Sequence, residues 1–205
     1  MVNPITFFLI FAHIGIIGLS NTLVQYPFTF LGFQTTWGAF SYPLIFIFTD
    51  LTTRLLGQQV ARRVVYAAML PGLFCSYFIS NAYAHNDLWA YNPVALRIAL
   101  ASVSAYVVGQ LLDIIVFQKL RRQQKWWVAP SVSNIFGNFF DTYCFFFIAF
   151  YHSSNIFLSN NWVEIATVDL IFKLGISLIS FVPLYGLILR LILQGNSVKM
   201  ASVSN

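Results

Sequence analysis

The first 49 residues of the chain contain no Asp, Glu, Lys or Arg. A soluble domain cannot be dressed this way, because its surface needs charge. Soluble domains carry about 25% charged residues, whereas this 205-residue chain has 8% charged and 59% hydrophobic residues. The composition predicts an integral membrane protein. One span needs about 20 mostly apolar residues, so the length predicts roughly six spans, at about 5–25, 38–56, 62–84, 94–118, 129–151 and 163–193. These form one domain over 1–195, followed by a short tail, 196–205. In lipid every backbone N–H and C=O must be paired internally, so only helices or closed barrels span. The runs are continuously apolar rather than alternating, which argues against a barrel. The expected fold class is therefore all-α, a polytopic protein with six transmembrane helices. Met1-Val-Asn-Pro-Ile5 lacks the basic start of a cleavable signal peptide, and the first run reads as a retained helix. Cys75 and Cys144 fall within spans, without metal-ligand or CxxC spacing, and read as small buried hydrophobes.

The net charge of +5 does not point to nucleic acid, because the basic residues gather at span ends. Arg62 and Arg63 fall between spans two and three. Lys119, Arg121, Arg122 and Lys125 fall between spans four and five, and Arg190 and Lys199 follow span six. The other connections, 26–37, 85–93 and 152–162, hold no Lys or Arg. The positive-inside rule then puts both termini in the cytoplasm. A faint repeat joins Trp37-Gly-Ala39-Phe-Ser41, followed by Asp50, to Trp127-Val-Ala129-Pro-Ser131, followed by Asp141. It would relate spans one to three to spans four to six as inverted halves, a recurrent transporter plan.

Four of the six acids, Asp50, Asp113, Asp141 and Asp169, lie inside apolar spans. A charge at membrane depth costs roughly 2.5–3.5 kcal/mol on insertion scales, so such residues face a cavity or a partner. At about 1.5 Å per residue, Asp50 and Asp113 fall in the cytoplasmic half and Asp141 and Asp169 in the outer half. Asp50 and Arg54, like Asp169 and Lys173, are spaced i, i+4, where they can pair. Asn134, Asn138 and Asp141 share one helix face, with Gly137 between them. Gln110, Asn21 and Gln25 are further intramembrane amides, and such groups often tie helices together. Tyr42, Tyr106 and Tyr143 bring hydroxyls suited to a cavity wall. His13 is a candidate interhelical bond or proton relay, and Arg97 is placed to snorkel. Pro43, Pro71, Pro130 and Pro183 are candidate kinks.

GxSxG, HExxH, Walker and HxE…CxxC signatures are all missing, and the three His residues are far apart. No metal, cofactor or enzymatic role is expected. A secondary carrier, a substrate-capture subunit with a separate energising partner, an intramembrane enzyme built on an Asp pair, and a structural subunit remain as classes.

Several motifs narrow this choice. Thr35-Thr-Trp-Gly-Ala-Phe-Ser-Tyr-Pro43, Phe48-Thr-Asp-Leu-Thr-Thr-Arg54, Ala61-Arg-Arg63 and Gly109-Gln-Leu-Leu-Asp113 stand in one order. Trp126-Trp-Val-Ala-Pro130, Asn134-Ile-Phe-Gly-Asn138 with Asp141, and Glu164-Ile-Ala-Thr-Val-Asp169 with Lys173 follow them. Together they resemble the bacterial queuosine-precursor transporter family, a vitamin-uptake-type group. The resemblance implies a six-span inner-membrane importer of 7-cyano-7-deazaguanine (preQ0) and 7-aminomethyl-7-deazaguanine (preQ1), which serve queuosine modification of tRNA. A deazaguanine offers N1–H and a 2-amino group side by side, a two-donor edge suited to one carboxylate. Its 6-oxo group accepts from an amide, Arg or Lys. Asp141 or Asp50 is then expected to read that edge, Asn134, Asn138 and Gln110 to orient the base, and Arg54 or Lys173 to balance charge. Asp113 and Asp169 complete the candidate substrate set, with His13 as the candidate relay. Beyond small-molecule substrate and lipid no partner is implied, and a homodimer is left open.

Overall fold

The computed structural model describes residues 4–23, 27–30, 33–85 and 91–203. Gln25 and Trp89 lie outside these residues, as do the side chains of Asn21 and Lys199.

Helix α1 (Pro4–Leu23) leads into a hairpin, β1 (Pro27–Phe30) and β2 (Phe33–Thr36), and then a one-turn helix, α2 (Gly38–Ser41). Helices α3 (Leu44–Leu55), α4 (Gln58–His85), α5 (Pro93–Leu120) and α6 (Val128–Phe150) follow. Helix α7 (Ile156–Ile176) passes through a π-helical turn, Ser177–Phe181, into α8 (Val182–Val203). The helical expectation holds for every predicted span. Two stretches, Pro93–Leu120 and Ile156–Ile192, are long and apolar enough to cross a bilayer by themselves. Pro4–Ser20 is a shorter apolar helix.

Four details differ from the sequence expectation. The 26–37 connection is not purely loop: Pro27 pairs with Thr36 and Phe30 with Phe33 in an antiparallel ribbon. Its aromatic and β-branched residues, Phe28, Thr29, Phe33 and Thr35, favour strand geometry. The second span is broken at Tyr42–Pro43, between α2 and α3. The basic pair Arg62–Arg63 is not in a loop but in the first turns of α4, because Gly57 (φ +88) closes the α3–α4 connection at once. The last helix starts at Ile156 rather than 163, since the Asn155 side chain accepts from Leu158 N at 3.1 Å and caps it. Asn92 caps α5 in the same way, with Pro93 in its first turn.

Pro183 cannot donate a backbone hydrogen bond, and its ring would clash with the turn before it. The widened turn at Ser177–Phe181 lies just ahead of it and absorbs that misfit. Pro130 sits in the first turn of α6, where its missing donor breaks nothing.

Burial runs opposite to that of a soluble protein. Phe7, Phe8, Phe11, Leu70, Phe74, Ile171, Ile179 and Leu191 are exposed, while His13, Thr49, Asp50, Gln110, Asp113, Asn138 and Asp141 are buried. Apolar outer faces suit lipid, and buried ionisable groups mark a polar interior. Helices α5 and α6 form the closest pair, with α4 and α1 beside α5, α7 beside α6, and α3 packed on α5. Ile16, Ile17, Ile45, Phe46, Val65, Tyr106 and Ile114 form one apolar cluster. Ile47, Phe117, Ala129, Tyr185 and Leu189 form a second. The buried acids lie among these elements.

Candidate functional site

The crossing of α5 and α6 sets the site. A Cβ on Gly109 would lie 2.8 Å from the Asp141 Cβ and 3.0 Å from the Gly137 carbonyl oxygen. A Cβ on Gly137 would lie 3.2 Å from the Asp113 Cβ and 3.2 Å from the Gly109 carbonyl oxygen. Each helix therefore offers a glycine to the other's aspartate, and only glycine permits this approach. The contact is reciprocal, and so is the sequence behind it. Tyr106-x-x-Gly109-Gln110-x-x-Asp113 and Asn134-x-x-Gly137-Asn138-x-x-Asp141 share one spacing. Asp113 faces Gly137, and Asp141 lies four residues further along α6, so the two acids are stacked about 6 Å apart along the helix.

Around Asp141 the structure gathers four elements. Tyr42, at the break before α3, donates its hydroxyl to Asp141 Oδ1 at 2.6 Å. Lys173 of α7 lies 2.8 Å from Asp169 Oδ2 and 3.8 Å from Asp141 Oδ2. The same ammonium donates to Thr142 at 3.3 Å and sits 5.2 Å from the Tyr42 ring centre. The expected Asp169–Lys173 pair thus exists, and Asp141 shares its cation. Tyr106 lies near Tyr42 and meets His13 Nδ1 at 3.0 Å, which links α1 to this cluster. His13 Nε2 is buried without a partner.

Around Asp113 the arrangement is different. The Asp50 and Asp113 side chains are neighbours, close enough to act on each other, and neither Asp113 oxygen has a hydrogen-bond partner. The Ser133 hydroxyl stands 3.4 Å from Asp50 Oδ1. The expected Asp50–Arg54 pair does not form. Arg54, in the last turn of α3, instead donates to the Arg121 carbonyl at 3.2 Å. Its guanidinium lies about 6 Å from the Phe117 and Tyr185 ring centres. Arg121 returns a bond to the Thr53 carbonyl at 3.0 Å. Arg54 is drawn to carbonyls at the helix ends, where a cation is favoured.

Three amides complete the set. Gln110 accepts from the Thr49 hydroxyl, and its Nε2 has no partner. Asn138 donates to the Asn134 carbonyl at 2.9 Å and to its Oδ1 at 2.8 Å, leaving its own Oδ1 open. Tyr143 departs from the cavity expectation: it bonds Thr167 at 2.8 Å and ties α6 to α7. Arg97 does not simply snorkel. It donates to the carbonyls of Ile148 (2.8 Å), His152 (3.3 Å) and Tyr151, closing the end of α6. A groove of about 640 Å³ lies elsewhere, lined by Trp126, Pro183, Gly186, Leu187 and Arg190, and none of the acids contributes to it.

The structure buries Asp50, Asp113 and Asp141; the sequence does not reveal Tyr42 as the partner of Asp141 or Ser133 as the neighbour of Asp50. It also missed the shared spacing of 106–113 and 134–141, which was readable and would have located the crossing.

Among the described residues the arrangement offers a polar interior, which suits passage of a polar molecule. The family described as "Putative vitamin uptake transporter" matches residues 36–188. The "Queuosine precursor transporter" of Escherichia coli (strain K12) is 47% identical over 194 residues, covering 92% of this chain and 88% of that protein. The "Probable queuosine precursor transporter" of Haemophilus influenzae is 44% identical, covering 90% and 86%. One from Bacillus subtilis is 25% identical, covering 78% and 75%. No solved structure gives a significant match. The relatives are membrane transporters rather than enzymes, as the resemblance implied. The chain belongs to the vitamin-uptake-transporter family and groups there with the queuosine precursor transporters.

Proposed function

We propose that this chain imports queuosine precursors, preQ0 and preQ1, across the bacterial inner membrane for tRNA modification. The observation that carries this reading is 47% identity across nine-tenths of the chain to a queuosine precursor transporter. The buried chemistry supports it. Asp141 is the carboxylate we assign to the N1–H and 2-amino edge of the base. Its Oδ2 is held only loosely, at 3.8 Å, because Lys173 lies closer to Asp169. A two-donor edge can displace that contact, while Tyr42 keeps Oδ1 oriented and offers a ring for the flat bicycle. Lys173, released toward the ligand, reaches the 6-oxo group. Asn138 and Gln110, each with an unpartnered buried amide atom, orient the remaining edges. Asp169 holds Lys173 in place.

In this reading residues 1–195 form one six-span domain with both termini cytoplasmic. Spans one to three and four to six act as inverted halves, and the broken second span moves when the site changes sides. Broken helices beside a midplane site are a common transporter device. The test is uptake by a strain unable to make the precursor. Supplied preQ0 or preQ1 restores queuosine in tRNA only when this gene is present. Restoration without the gene, or none with it, would refute the assignment. Transport by the purified protein in liposomes separates an autonomous carrier from a capture subunit that needs a partner.

A further inference from the structure

The two acidic clusters are balanced differently. Asp141 and Asp169 share Lys173, and Asp141 also takes the Tyr42 hydroxyl. Asp50 and Asp113 are close enough to act on each other, are 3% and 0% exposed, and have no cation in ion-pair range among the described residues. Neither Asp113 oxygen meets a well-placed donor. Two carboxyls in contact can hydrogen-bond only if one carries a proton, and like charges that close cannot both ionise. The surroundings do not supply the missing charge. On α3, Arg54 influences Asp50 from a distance while bonded to the Arg121 carbonyl. On α6, only the Ser133 hydroxyl reaches in. On α8, the buried Tyr185 hydroxyl lies near both acids and has no partner.

We propose that Asp50 and Asp113 form a proton-binding site, with one proton held between them that crosses the membrane together with the substrate. The inference rests on the importer reading above. The proton is taken up from the outer side while the substrate binds at Asp141, and it leaves to the cytoplasm after the substrate does. No other bond changes. The coupling path is short. Asp113 packs on Gly137 and Asp141 packs on Gly109, so a shift of α6 driven at Asp141 is felt at Asp113.

Two measurements test this. Purified wild-type protein is reconstituted in liposomes with a trapped pH-sensitive dye, and preQ0, which is neutral, is added outside. Lumen acidification that tracks uptake is expected. Net uptake of labelled preQ0 without acidification overturns the proton inference alone, whereas absence of any uptake overturns the importer reading. The second readout needs no transport. An infrared spectrum of the resting protein should show a protonated-carboxyl carbonyl band that shifts in D2O and is lost in both Asp50→Asn and Asp113→Asn. A wild-type spectrum without that band, or a band that survives in both variants, overturns the proton site.

Discussion

Gly109→Ala probes the crossing on which both acid clusters depend. The new Cβ would stand 2.8 Å from the Asp141 Cβ and 3.0 Å from the Gly137 carbonyl oxygen. Non-bonded carbon atoms settle at about 3.5–4.0 Å, so α5 and α6 must part by about 0.7 Å or more. Both obstacles are on or next to backbone and cannot swing away. Overpacking of this kind costs about 1–3 kcal/mol. Replacing Gly by Ala inside a helix returns about 0.5–1 kcal/mol. The net loss is then up to about 2.5 kcal/mol, or up to about 10 °C in melting temperature at roughly 2–4 °C per kcal/mol for a chain of this size. Gly175→Ala is the control, because its Cβ would meet nothing within 4 Å, and it should match or exceed wild type in stability. The assay is tryptophan-fluorescence melting in detergent, paired with preQ0 uptake. Gly109→Ala should melt lower and transport more slowly, since Asp141 is displaced from Tyr42 and Lys173. If Gly109→Ala melts with Gly175→Ala and transports like wild type, the close crossing is not as described.

Further outcomes follow from the same geometry. Tyr42→Phe keeps the ring but removes the 2.6 Å donation to Asp141. A hydrogen bond to a charged group contributes about 1.5–3 kcal/mol, so KM for preQ0 should rise about tenfold or more, with little change in maximal rate. Lys173→Met leaves Asp141 and Asp169 without their shared cation. Breaking a buried pair this way costs about 3–5 kcal/mol, less here because Asp169 is partly exposed at 24%. Protein yield and melting temperature should fall, and adding Asp169→Asn should recover much of the stability but not uptake. Arg97→Ala frees three carbonyls at the end of α6. It should lower the melting temperature, at about 1–3 kcal/mol for the lost bonds, with an unchanged KM in the same uptake assay.

Much of this organisation can be read from the chain, because lipid makes polar residues conspicuous. Rise per residue puts Asp50 and Asp113 in one half of the membrane and Asp141 and Asp169 in the other, and the structure joins Asp141 and Asp169 through Lys173. The i, i+4 rule held for Asp169–Lys173 and failed for Asp50–Arg54. Spacing states only which groups can meet. Arg54 sits at a helix end, where open carbonyls of the α5–α6 connection compete for it. The Asn155 cap stands in the sequence, but it lies ahead of the apolar run from 163 that marks the span. The Tyr42–Asp141 bond was not legible, because it joins residues 99 positions apart and depends on the break at Pro43. The hairpin is not legible in the sequence, because an uncharged connection between spans carries no strong local signal.

Binding of preQ0 to the purified protein tests the central claim most directly, by calorimetry on wild type and on Asp141→Asn. The account predicts that wild type binds and that the variant, melting like wild type, binds at least about tenfold more weakly, as the loss of a charge-assisted bond requires. Equal affinity of the two proteins would contradict it, and would mean that the base is read somewhere other than the crossing of α5 and α6.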